Sequence, residues 1–171
     1  MSSDEDEFRD FVVARSPALL RVAFLLTGDR GHAEDLLQTA LMKTSRRWTK
    51  LADRDASYAY VRRVMVNTQT SWLRRRRVVE NFVDVVPDSA AQLDDFSAVE
   101  GRALPALAQL PAGMRVVLVL RFYEDLSEAE TARLLGCSAG TVKSQTSRGL
   151  DRLRSYFAEV PSASATNREE P

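Results

Sequence analysis

The sequence predicts an all-α protein of two small helical domains joined by a flexible acidic linker. Three observations carry that expectation. Apolar residues recur at steps of three and four along most of the chain, one C-terminal segment reads as a helix-turn-helix, and the charges fall into blocks. A length of 171 residues gives room for one medium domain or two small ones with buried cores.

Phe8, Phe11 and Val12 open the first helical pattern. Ser16 followed by Pro17 reads as an N-cap with proline at the first helical position, so a second helix is expected through Leu19, Leu20, Ala23, Phe24 and Leu26. After a TGDRG turn, Ala33, Leu36, Leu37, Ala40, Leu41, Thr44 and Trp48 trace a long amphipathic helix whose exposed start carries Glu34, Asp35 and Gln38. Another long helix is expected from Asp55 to Arg77, holding Tyr58, Tyr60, Val61, Val64, Met65, Trp72 and Leu73 and ending in the run Arg74 to Arg77. Rings interleaved with cations suit single-stranded nucleic acid, where bases stack while Arg and Lys follow the backbone; each ring taken singly fits a core position at least as well.

Residues 80–100 mix Pro, Ser, Ala and acids with weak periodicity and read as a linker. Helix is expected again over 102–109, and Pro111 can open a further helix through Tyr123. The run VVLVL at 116–120 suits a buried strand equally well, and its place before the helix-turn-helix favours helix.

Within 126–154, Ser127 and Glu130 have capping-box spacing, Leu126 can staple the entry, and Gly136 suits the left-handed residue that closes a helix. Ser138 is the natural N-cap of the next helix, in which Val142, Thr146, Leu150 and Leu153 form one inward stripe. Lys143, Ser144, Ser147 and Arg148 fall largely off that stripe, and Gln145 adds an amide. Short hydroxyls allow close approach to a major groove, and long cations reach guanine acceptors or phosphates. An ordinary helical hairpin with a solvated basic face has the same local pattern.

The zero formal net charge hides a strong asymmetry. Residues 11–79 hold fourteen basic and five acidic side chains, residues 80–100 hold six acidic and no basic ones, and residues 101–157 hold eight basic and five acidic ones. Two basic blocks fit two polyanion-binding domains, and the acidic strip is either a spacer or a segment that repels or imitates DNA.

A single cysteine, Cys137, excludes an internal disulfide and a multi-cysteine zinc site. The one histidine, His32, beside Glu34 and Asp35, supplies neither a metal set nor a triad, and Gly28 with Gly31 fits a turn better than a phosphate cradle. No cofactor, metal or catalytic activity is expected. The acidic N-terminus is unlike a secretory signal and no apolar run reaches the roughly 20 residues of a membrane span, so the cytoplasm is the expected location, without membrane insertion.

Taken together, AEDLLQTALMKTSRRW, YAYVRRVMVNTQTSWLRRRR and the segment from LPAGMRVV to GLDRLR resemble the extracytoplasmic-function (ECF) group of sigma-70-type transcription initiation factors, and look most like the actinobacterial SigE branch. The resemblance implies a sigma region 2 domain at 1–79, an acidic linker at 80–100 and a region 4 domain at 101–157, and the Ser-, Ala- and Pro-rich composition beyond it leads to the expectation of a disordered tail at 158–171. It implies core RNA polymerase, through its beta and beta-prime subunits, and promoter DNA as partners, and allows an anti-sigma factor. Asp35 and Gln38, presented by Leu36, Leu37 and Leu41, match the polymerase grip. Tyr60, Arg63, Asn67, Thr68 and Gln69, with Arg74 and Arg75, match the segment that holds the opened minus-10 strand. Lys143, Ser144, Gln145, Ser147 and Arg148 match the minus-35 reading surface. Thr39, Ser71 and Thr131 depart from the family pattern, which has acids at the first two positions and an aliphatic residue at the third. A free-standing helix-turn-helix regulator with an N-terminal sensing or dimerising domain is the alternative.

Overall fold

The computed structural model describes residues 3–51, 53–79 and 100–160, all of it helix or connecting turn. Helix α1 spans Ser3–Thr27, α2 Arg30–Ser45 and α3 Arg54–Val79. Helix α4 spans Glu100–Ala108, α5 Ala112–Leu118, α6 Glu128–Leu135 and α7 Ala139–Glu159. Most of the expected linker, residues 80–99, and residues 161–171 of the expected tail lie outside the described residues. Helix α4 already begins at Glu100, and α7 runs two residues past the expected boundary at 157.

The expected helix start at Ser16 and Pro17 is corrected: α1 runs through it without a break. Pro17 removes one backbone hydrogen bond, and the carbonyl it would have used belongs to Val13, which is 73% exposed and open to water. Phe11 on one side of the proline and Leu19, Val22, Ala23 and Leu26 on the other are all buried, so packing holds both halves on one axis. Trp48 is also relocated. Helix α2 ends at Ser45, and Trp48 begins a short 3-10 turn, its ring 5.0 Å from Phe8 and 5.1 Å from Phe11.

Local capping sets the other boundaries. Gly28, at φ +69°, closes α1, and the Asp29 carboxylate accepts the His32 backbone N–H at 2.8 Å to start α2. Pro111 stands at the N-cap of α5, and VVLVL is helical, continuing α5 into a wider turn over Val119–Tyr123. Both arms of the Ser127–Glu130 capping box are present, Gly136 takes the left-handed conformation at φ +64°, and Ser138 caps α7 through the Thr141 N–H. The hydrogen bonds from Ser127 hold the Glu130 carboxyl below its usual range. Ser127→Ala is expected to cost about 1 kcal/mol, read as a lower midpoint in urea unfolding followed by helix content; an unchanged midpoint would show that α6 does not need its cap.

Helices α1, α2 and α3 pack on one another as an N-terminal bundle, and α5, α6 and α7 form the C-terminal unit with α4 between α7 and α1. Leu36, Ala40, Val61 and Met65 are fully buried at the centre of the first. The same apolar cluster continues into Val116, Val117, Leu120, Leu135 and Val142 of the second. Leu110, Met114 and Leu118 make a smaller cluster with Leu107, Leu150 and Leu153.

Candidate nucleic-acid interface

Three surfaces carry the residues singled out in the sequence. On α2, Asp35 and Gln38 stand one turn apart in solvent, with Met42 62% exposed a further turn on. Leu41 is half-buried, whereas Leu36 and Leu37 are only 0% and 8% exposed and lie inside the core. The last two anchor the helix that displays Asp35 and Gln38.

On α3 the chain forms a cavity of about 380 Å³ lined by Lys43, Val64, Asn67, Thr68, Ser71, Trp72 and Arg75. Its polar lining residues are Asn67, Thr68 and Ser71, its apolar ones Val64 and Trp72, and its cations Lys43 and Arg75. Lys43 Nζ donates to Thr68 Oγ1 at 3.2 Å across the α2–α3 groove. Tyr60 is half-buried and Arg63 exposed on the same helix.

Two of the expected minus-10 residues point elsewhere. Gln69 is buried, and its Nε2 donates to the Leu26 carbonyl of α1 at 3.3 Å, which makes it a tie between helices. Arg74 donates to the Leu134 carbonyl of α6, so in this conformation its guanidinium serves the contact between the two helical units. Lys43 is the cavity residue that the sequence reading missed. It sits 25 positions from Thr68 on another helix, and no local spacing announces such a pairing.

On α7, Lys143, Ser144, Ser147 and Arg148 are all exposed along one face, while Val142 and Gly149 are buried on the other. Gln145, on the same helix, is half-buried, and its Oε1 is enclosed. Gly149 lets α7 lie close on α5; a Cβ there would stand 3.0 Å from Leu118 Cδ1. Thr131, where the resembled family carries an aliphatic side chain, is fully buried in α6. No three His, Cys, Asp or Glu side chains gather as a metal would require among the described residues.

A capped helix-turn-helix with a cationic outer face, joined to a helical bundle that carries a cavity lined by a ring and two cations, is the architecture of a DNA-binding protein. Comparison with known proteins gives the family. Residues 11–78 match sigma-70 region 2, and residues 102–153 match sigma-70 region 4. The RNA polymerase sigma-E factor of Streptomyces avermitilis is 46% identical over 151 residues, covering 86% of this chain and 83% of the relative. That of Streptomyces coelicolor is 44% identical over 168 residues, covering 96% and 94%. Among solved structures, the sigma factor RpoE of Bartonella quintana, crystallised with the anti-sigma factor NepR, matches with a TM-score of 0.53 and 27% identity over 91% of this chain and 99% of that one. The chain belongs to the sigma-70 family of RNA polymerase sigma factors, in its extracytoplasmic-function group.

Proposed function

We propose that this sigma factor docks on core RNA polymerase through the Asp35, Gln38 and Met42 face of α2, captures the opened minus-10 strand in the α3 cavity, and reads the minus-35 duplex with the outer face of α7. The observation that carries this reading is that region 2 and region 4 occur together in one chain, with a cavity on the first and an exposed cationic helix face on the second.

The chemistry fits each role. Carboxylate and amide groups on a rigid helix can accept and donate to a partner protein without desolvating a core. A cavity with one aromatic wall and two cations suits an unstacked nucleotide, whose base lies on Trp72 while Lys43 and Arg75 meet the backbone. The hydroxyls and cations of Ser144, Ser147, Lys143 and Arg148 suit a major groove. The work is placed in the cytoplasm, where polymerase and promoter meet; no described helix is long and apolar enough to cross a membrane. An anti-sigma protein is a further partner class, by analogy with the Bartonella complex.

Run-off transcription with purified core polymerase tests the assignment. Wild type is expected to start transcripts at a selected set of promoters. Asp35→Ala with Gln38→Ala is expected to weaken core binding about tenfold or more while leaving the melting curve in place. Unchanged pull-down of the core by the double variant would remove that face from the interface.

A further inference from the structure

A stripe of cations without acidic partners leads away from the α3 cavity along the end of α2, and capture of one base in the cavity does not account for it. Lys43, Arg46, Arg47 and Lys50 are all exposed. Lys43 lines the cavity and donates to Thr68 Oγ1 at 3.2 Å. Arg46 and Arg47 follow it by three and four positions, the spacing that keeps side chains on one side of a helix. Lys50 comes three residues later, across a turn closed by its own N–H on the Arg47 carbonyl at 2.9 Å. From first to last the stripe covers about 10 Å of backbone.

Three properties separate this stripe from an ordinary solvated face. Among the described residues no carboxylate lies within ion-pairing distance of any of the four, whereas Arg9, Arg30 and Arg154 each pair with an acid three or four positions away. The helix dipole favours a cation in the last turn of α2 and explains Lys43, but Arg47 and Lys50 lie beyond the helix. The backbone beneath them is also fixed. The Arg47 N–H donates to the Thr44 carbonyl at 2.9 Å and the Leu51 N–H to that of Trp48 at 3.1 Å, while the Trp48 ring packs on Phe8 and Phe11. Trp48 is thus an anchor, and the cations are the exposed chemistry of the turn. Charges held on a fixed backbone lose less freedom when they bind.

We propose that Lys43, Arg46, Arg47 and Lys50 form a phosphate track that carries the opened strand onward from the cavity. The proposal rests on the strand-capture reading of that cavity. Its partner is the sugar–phosphate backbone of single-stranded DNA. A captured base has neighbours on its own strand whose phosphates must leave the cavity, and a row of cations that begins at a cavity residue gives them a path. Such contacts respond to charge and carry no base information. The cavity then selects the base, and the track supplies affinity that is sequence-independent and falls with salt.

The test is binding of the full chain, assembled with core polymerase, to a promoter whose minus-10 region is already unpaired, over a range of salt concentrations. Arg46→Gln, Arg47→Gln and Lys50→Gln together leave every cavity residue in place. The triple variant is expected to make the slope of log K against log salt shallower by about 2, at roughly 0.7 for each single-strand phosphate contact, with affinity down about tenfold or more at low salt. Its discrimination between promoters that differ at the captured base is expected to match wild type. Arg46→Lys with Arg47→Lys is expected to keep the wild-type slope, because a track needs charge and not the guanidinium fork. An unchanged slope in a normally helical triple variant, with wild type binding the opened promoter, would overturn the track and leave the cavity standing. Weaker pull-down of core polymerase with an unchanged slope would also overturn it, by giving the stripe to a protein contact. Failure of the wild-type complex to bind the opened promoter would overturn the cavity reading and the track with it. If the triple variant loses helix content, the three single Gln variants decide: each is expected to lower the slope by about 0.7, and unchanged slopes in all three would overturn the track.

Discussion

Gly28→Ala is expected to destabilise the chain by about 2 to 4 kcal/mol, far more than a surface glycine would. Two independent costs meet at this position. At φ +69° an L-residue in the left-handed region carries a penalty of about 1 to 2 kcal/mol. A Cβ there would also overlap the Arg115 guanidinium, with Nε at 2.8 Å and Nη1 and Cζ closer still.

Arg115 has little freedom to retreat. Its Nε donates to the Leu107 carbonyl at 3.1 Å, its Nη2 to that of Leu110 at 2.8 Å, and its Nη1 to that of Thr27. Burial pulls the guanidinium down to about 10, with Asp29 acting in the opposite direction, so at neutral pH it remains a cation held by carbonyl dipoles. Displacing it strips a buried charge of acceptors, at about 1.5 to 3 kcal/mol for each charged hydrogen bond lost. Gly31→Ala is the control, because a Cβ in that helical position meets only Asp29 Oδ2 at 3.4 Å and is expected to be neutral or stabilising by up to about 1 kcal/mol. Urea unfolding separates the two. Equal midpoints for both variants would show that Arg115 gives way without cost.

Signals that act within four residues were legible before the fold was known. The Ser127–Glu130 box, the Ser138 cap, the Gly136 closure and the outward Lys143–Arg148 face all follow from i to i+3 and i to i+4 spacing, and all are present. Ser16–Pro17 misled because proline at a helix start and proline inside a helix give the same local string; burial of Phe11 and Leu19 on either side decides between them. The assignments at Gln69 and Arg74 carried a family role onto side chains that α1 and α6 claim in this conformation. Lys43 with Thr68, Arg62 with Glu124 and Arg115 with Thr27 are 25, 62 and 88 positions apart. Such pairs come from helix packing, which periodicity marks by face but not by partner.

Trp72→Ala is expected to slow promoter opening about 10- to 100-fold, which is the loss of one base–aromatic stack of about 1 to 3 kcal/mol. Trp72 is the aromatic residue among the described lining of the α3 cavity, which it shares with the cations Lys43 and Arg75. It is half-buried and packed against the core, so truncation also lowers stability and the two effects have to be read apart. Melting temperature reports the packing loss, and permanganate reactivity of the minus-10 strand in the polymerase complex reports opening. Trp72→Phe keeps a ring at the wall and is expected to recover most of the opening while still losing part of the packing. That pattern belongs to stacking, because a purely structural tryptophan would let opening follow melting temperature through both variants. Normal permanganate reactivity with Trp72→Ala would place the captured base against another surface.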